Sequence, residues 1–150
     1  MRQQTLRLVD LPVEQYRRMR QHHDDMLREF ALITLQAQDP DAVAVPKRLL
    51  ELSDEVQAHY SEPRDHLRDA VEEAHRRDRQ TVTVELQLPV AVVDQVQGWL
   101  ALLEEADSYC RSGDLLTLEA PPDVVRFRRW LLGEVVAQLQ DGRPPSRFGE

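Results

Sequence analysis

Two segments of the chain alternate between apolar and polar residues. Thr5-Leu6-Arg7-Leu8-Val9 does so briefly, and Thr81-Val82-Thr83-Val84-Glu85-Leu86-Gln87-Leu88 does so over a longer, β-branched run. Strand side chains point to opposite faces in turn, so each segment predicts a half-buried strand. Elsewhere the apolar spacing is three and four, the signature of one buried helix face. Leu11-Pro12 opens the first such stretch, proline being well tolerated in a first helical turn. Its inner face is Tyr16, Met19, His23, Met26, Leu27, Phe30, Ile33 and Ala37, and Asp39-Pro40-Asp41 ends it. Pro46 opens a second helix with Leu49, Leu50, Leu52, Val56 and Tyr60 inward. Ser61-Glu62-Pro63 reads as a break and a new N-cap. The third helix, 62–78, carries only Leu67, Ala70, Val71 and Ala74, so it is expected on the surface. Pro89 opens a fourth helix along Val93, Val96, Leu100, Leu103, Asp107 and Cys110, with Gly113 as its C′ residue. Leu115-Leu116-Thr117-Leu118 is an apolar linker. Pro121-Pro122 starts the last helix, whose inner face is Val124, Val125, Phe127, Leu131, Leu132, Val135, Val136 and Leu139. Residues 141–150 read as a loose tail.

The halves 4–60 and 81–140 repeat one another in outline: strand, Leu-Pro, long helix, Asp-containing loop, proline, helix. An offset of 77 sends Tyr16 to Val93, Met19 to Val96, His23 to Leu100, Met26 to Leu103 and Ile33 to Cys110. After the loop an offset of 75 sends Pro46 to Pro121, Leu49 to Val124, Leu52 to Phe127 and Val56 to Leu131. The expected fold is therefore a single domain over 1–150, mostly α, with about five helices and a small two-stranded antiparallel β element. Helix 62–78 is the connector, and the halves would pack about a pseudo-two-fold axis. A two-stranded ribbon is marginal alone and needs helical cover.

Composition narrows the function classes. A net charge of −8 argues against nonspecific binding to nucleic acid or to an anionic membrane, both of which need a cationic face. Arg17-Arg18-x-Arg20, Arg76-Arg77-x-Arg79 and Arg126-x-Arg128-Arg129 are short basic clusters, read as solvated helix faces with acidic neighbours. A single lysine, Lys47, among nineteen basic residues points to a GC-rich genome rather than a function. Cys110 is the only cysteine, which rules out an internal disulfide and a cysteine-cluster metal site. The N-terminus lacks the apolar run of a signal peptide, and no stretch reaches a membrane span, so the expected location is cytoplasmic.

Candidate chemistry is sparse. His22, Asp25 and Glu29 share one helix face and offer His and carboxylate ligands for a divalent ion, but no His-Glu-x-x-His pattern supports them, and no metal or cofactor is expected. His23 and Asp107 are polar residues on otherwise apolar stripes. Either would be costly to bury unpaired, so they are expected to meet in the interior or at a cleft. Cys110 lies near a helix C-terminus, where the dipole disfavours a thiolate, so it reads as a small buried residue. Glycines are never adjacent and no Gly-x-Ser-x-Gly elbow is present. Trp99 and Trp130 flank their seams; they are core-edge residues or, if exposed together, anchors of a protein interface.

Two segments also carry a resemblance. One is His22-His23-Asp24-Asp25-Met26-Leu27-Arg28-Glu29-Phe30-Ala31-Leu32-Ile33. The other is Phe127-Arg128-Arg129-Trp130-Leu131-Leu132-Gly133-Glu134-Val135, preceded by Gly113-Asp114-Leu115-Leu116-Thr117-Leu118. With Val45-Pro46-Lys47-Arg48-Leu49-Leu50, the likeness covers most of the chain. It resembles a poorly characterised family of small actinobacterial proteins, often encoded beside serine-kinase-type anti-sigma factors and STAS-domain proteins. The resemblance implies a non-enzymatic regulatory or adaptor protein in a sigma-factor or stress partner-switching circuit. Its partner would be such a kinase or STAS protein, or a second copy in a homodimer. The expected contact surface is His22, Asp25, Glu29, Trp99 and Trp130. The alternative is a small-molecule-binding sensor with a pocket between the halves, near His23 and Asp107.

Overall fold

The computed structural model describes residues 2–36, 38, 44–112 and 119–149. Asp39-Pro40-Asp41, Gly113 and the linker 115–118 lie outside them. The described elements run β1 (Gln3–Pro12), α1 (Val13–Gln36), α2 (Ala44–Arg76), β2 (Thr81–Pro89), α3 (Val92–Ser112) and α4 (Pro122–Leu139). The chain is mostly α with a two-stranded antiparallel sheet. Among the described residues no helix is long and apolar enough to cross a membrane.

The ribbon forms because both strands present one apolar row. Leu6 faces Leu86 and Leu8 faces Val84, and all four are buried. The outer row is polar, with Gln87 donating to Thr5 Oγ1 at 2.8 Å and Arg7 facing Glu85 at 3.7 Å. Helix cover also reaches one ribbon edge. The Gln138 side chain of α4 accepts from Arg7 N–H at 2.9 Å and donates to Arg7 C=O at 2.8 Å, which satisfies an edge position that has no strand neighbour.

Two prolines expected to open helices close strands instead. Pro12 pairs with Thr81 and Pro89 with Gln3, at the two ends of the ribbon, where the missing N–H removes little from the ladder. β1 is also longer than expected. It carries a bulge between Leu8 and Leu11, with Asp10 in the left-handed region at φ 51. An offset of 78 takes Leu6 to Val84 and Leu8 to Leu86, whereas an offset of 77 takes Leu11 to Leu88 and Tyr16 to Val93, and all eight are buried. The order strand, helix, helix occurs twice.

Four helices are described rather than five because 44–76 counts as one, although its two helical segments meet across a non-helical residue next to the expected break at Ser61-Glu62-Pro63. The kink is at Tyr60 (φ −130, ψ 29), just before Pro63. A proline ring clashes with the carbonyl four residues back, here that of His59, so the helix must bend there. The second half of α2 is not a surface connector. Its narrow stripe of Leu67, Val71 and Ala74 is buried in the main core. It ends in a Schellman-type cap, with Asp78 at φ 56 and Arg79 N–H donating to Ala74 C=O at 2.9 Å.

The core is in two parts. The larger joins the inner face of the ribbon to Tyr16 and Met19 of α1, the stripe of α2, and Val124, Phe127, Leu131, Val135 and Leu139 of α4. The smaller, Met26, Phe30, Leu49, Leu103, Ala106 and Cys110, lies further along α1 and α3. The repeat offset pairs Met26 with Leu103 inside it.

The tail is docked rather than loose. Phe148 packs on Phe127 and Trp130, with ring centroids 5.6 and 5.8 Å apart. Ser146 N–H donates to the buried Glu134 carboxylate at 2.7 Å, and Arg147 pairs with Asp10 at 2.6 Å. Phe148→Ala is expected to cost about 2 kcal/mol in chemical denaturation, less than a fully buried phenylalanine because the ring is half-exposed. A variant as stable as wild type would show that the tail packs without contributing.

Candidate functional site

The sequence placed two polar residues, His23 and Asp107, on apolar stripes. Asp107 is buried, but its partner is Arg128 rather than His23. Arg128 Nη2 donates to Asp107 Oδ2, and Ala120 N–H donates to Oδ1 at 3.1 Å. Arg128 is 1% exposed, so it is no solvated face of a basic cluster. The signal for it was available: 128 lies four residues after Val124 and three before Leu131, on the buried stripe of α4. The neighbouring Arg126 and Arg129 obscured that position. Arg129 beside Arg128 is solvated and pairs with Glu104 at 2.9 Å; in the other clusters Arg17 pairs with Glu72 at 3.1 Å, Arg18 with Asp123 at 2.6 Å and Arg77 with Glu73 at 2.8 Å, while Arg20 borders the cavity.

Arg128 has more donors than acceptors. Its Nε and Nη1 are buried without a hydrogen-bond partner. Buried polar groups are rarely left so. His23 Nε2 and Gln95 Oε1 are in the same condition. All three residues line one cavity of about 420 Å³. It lies where the core divides in two, and every element contributes a wall. The ribbon gives Leu6, Leu8, Leu86 and Leu88, and α4 gives Arg128, Leu131, Leu132 and Val135. From α1 come Tyr16, Met19, Arg20, His23, Asp24 and Leu27, and from α3 Val92, Gln95, Val96 and Trp99. The kinked part of α2 supplies Tyr60, Pro63, Arg64, Leu67 and Arg68. The helical contributions recur at three and four residues, so each helix turns one continuous face to the space. A volume of this size falls in the range of small-molecule sites, about 300–1,000 Å³.

His23 sits beside Trp99, edge to face, with ring centroids 6.2 Å apart. Burial, and then the Arg128 charge, lower its pKa to about 3, so the ring is neutral near pH 7. Tyr16 hydrogen-bonds with Arg20, and burial raises its pKa. Cys110 is pushed up to about 11 by burial and then by the Asp107 charge, which leaves the thiol protonated.

The remaining candidates disperse. Among the described residues no three His, Cys, Asp or Glu side chains converge as a metal site. Of the face His22, Asp25, Glu29, the Asp25 carboxylate accepts from Gln21 Nε2 at 2.9 Å and lies 3.5 Å from Arg28. Trp130 joins the aromatic group of Phe127 and Phe148, and Trp99 lines the cavity, so the tryptophans are half-buried rather than paired exposed anchors.

No family model, curated protein or solved structure matches this chain. The site therefore has to be read from its own geometry.

Two outcomes follow from that geometry. Asp107→Ala strands a buried guanidinium and is expected to cost about 3–5 kcal/mol by urea denaturation. The paired change Asp107→Leu with Arg128→Met should recover most of that loss, and a double variant as unstable as the single one would refute the pairing. For His23, the unfolded ring binds a proton below its ordinary 6.5, and the folded ring only below about 3. Stability is therefore complete above pH 6.5 and falls as pH drops from there towards 3, by at most about 1.4 kcal/mol per unit. The stability difference between wild type and His23→Gln, followed from pH 7 to 4, should show this slope. A constant difference would mean that the ring protonates freely in the folded state.

Proposed function

We propose that this chain is a small-molecule-binding sensor whose ligand occupies the cavity between its two halves. One observation carries the reading. A largely apolar cavity of about 420 Å³ is lined by Arg128, His23 and Gln95, each of which has a buried polar atom without a hydrogen-bond partner. An apolar space with a few convergent polar groups is the usual form of a ligand site.

The chemistry at hand favours binding over turnover. His23, with a pKa near 3, is a weak general base at neutral pH. Asp107 is committed to Arg128 and Ala120, and the Cys110 thiol stays protonated. The output of such a sensor would be a protein contact. A serine-kinase-type anti-sigma factor or a STAS-domain protein is the partner class that the family resemblance implies, and the ligand would set the surface offered to it.

The test is native mass spectrometry of the protein purified from its own host, beside a cavity-filled variant, Val96→Phe. The expected result is a stoichiometric small-molecule adduct on the wild type, with a melting temperature several degrees above the stripped protein, and no adduct on the variant. If the variant holds the same adduct, the molecule sits elsewhere. If the wild type carries none and Val96→Phe melts higher than wild type, the space is a packing defect and not a site.

A further inference from the structure

The two halves share more than their order of elements. In the ribbon Leu6 pairs with Leu86, and Leu8 pairs with Val84. An offset of 78 sends Leu6 to Val84 and Leu8 to Leu86, so it turns the first pair into the second. A register that maps onto itself when its strands are exchanged has a two-fold axis at its centre. Here the axis passes between Arg7 and Glu85, which pair with each other.

The helices obey the same exchange. Within the halves α1 packs on α2, and α3 on α4. Between the halves α1 packs on α4, and α3 on α2. Swapping one half for the other interconverts these contacts. The cavity under the ribbon is built in the same way. α2 turns Val56, Gln57 and Tyr60 to it, and α4 turns Leu131, Leu132 and Val135, the same three positions at an offset of 75. The buried ion pair breaks the likeness, because the counterparts of Asp107 and Arg128 are Phe30 and Ser53.

Neither half has a core of its own. The ribbon takes one strand from each. The smaller cluster takes Met26, Phe30 and Leu49 from the first half, and Leu103, Ala106 and Cys110 from the second. A single strand with two helices would leave these faces in water, and a chain of that length is marginal even with a complete core. The covalent link between the halves is slight. Residues 77–80 join α2 to β2, and all four are exposed.

We propose that β1-α1-α2 and β2-α3-α4 are two copies of one dimerising unit fused in tandem, and that the surface each turns to the other also accepts the matching half of a second copy of this chain. The chain is then a dimer held within one polypeptide. Every contact between its halves can be remade between two molecules, so exchange costs only the re-routing of an exposed connector.

The test begins with a protease site placed within 77–80 and cut in the folded, full-length protein. The halves are expected to stay together at one to one, with the circular dichroism of the uncut protein. Their melting temperature should rise with protein concentration, as it does for a two-chain assembly. Two cut samples, one tagged at the N-terminus and the other at the C-terminus, are then mixed in urea and diluted out of it. They should yield particles that carry both tags. Cut halves that separate would overturn the proposal, whether or not each stays folded, and so would a failure to recover doubly tagged particles. Hydrogen exchange on the unaltered chain gives a check that needs no inserted site. The ribbon amides of β1 and β2 should open together, with one dependence on denaturant. Separate opening of the two halves would show that each is stable without the other and would end the proposal.

Discussion

The buried pair of Arg128 and Asp107 is the constraint on which the arrangement of this molecule turns. It joins α3 to α4 in the interior, and through the Ala120 N–H it also holds the chain just ahead of α4. A buried ion pair is seldom a net gain over well-packed apolar residues, because desolvation of both charges offsets their attraction. Its consequence is geometric. Arg128 borders the cavity that lies between the two parts of the core.

The other elements accommodate that division. α1 and α3 each run past both parts of the core, with Tyr16 and Met19 or Val92 and Val93 in one and Met26 and Phe30 or Leu103 and Ala106 in the other. Between these contacts they turn His23 and Trp99 to the cavity. The Pro63 kink lets one helix do two jobs, since its second half docks Leu67 and Val71 on the ribbon side while Leu49 in its first half reaches the smaller cluster. Tyr60, at the bend, borders the cavity. The bulge at Asp10 performs a similar adjustment in β1, turning Leu11 back to the buried side so that the strand enters α1 in register.

Much of the fold was legible in the chain, for local reasons. Leu6, Leu8, Val84 and Leu86 alternate with polar residues, and nothing but a two-faced ribbon satisfies that. Helix faces such as Met19, Met26 and Phe30 are spaced as a helix requires. The prolines misled because their signal is ambiguous: Pro12 and Pro89 suit a strand end as well as a first helical turn. The tail misled because composition reports solvation. Phe148 orders it only by finding Phe127 and Trp130 across the fold. At the site, periodicity flagged His23 and Asp107 as polar residues facing inward, and the same test applied to Arg128 would have found the third.

The sequence by itself therefore determined the element types, the inward faces and the polar residues that had to be buried, because each depends on spacing within one segment. Tertiary structure alone decided which of those residues meet. Asp107 could have been satisfied by any donor brought near it. Only the packing of α3 against α4 gave it Arg128 rather than His23, and set that pair at the edge of the cavity.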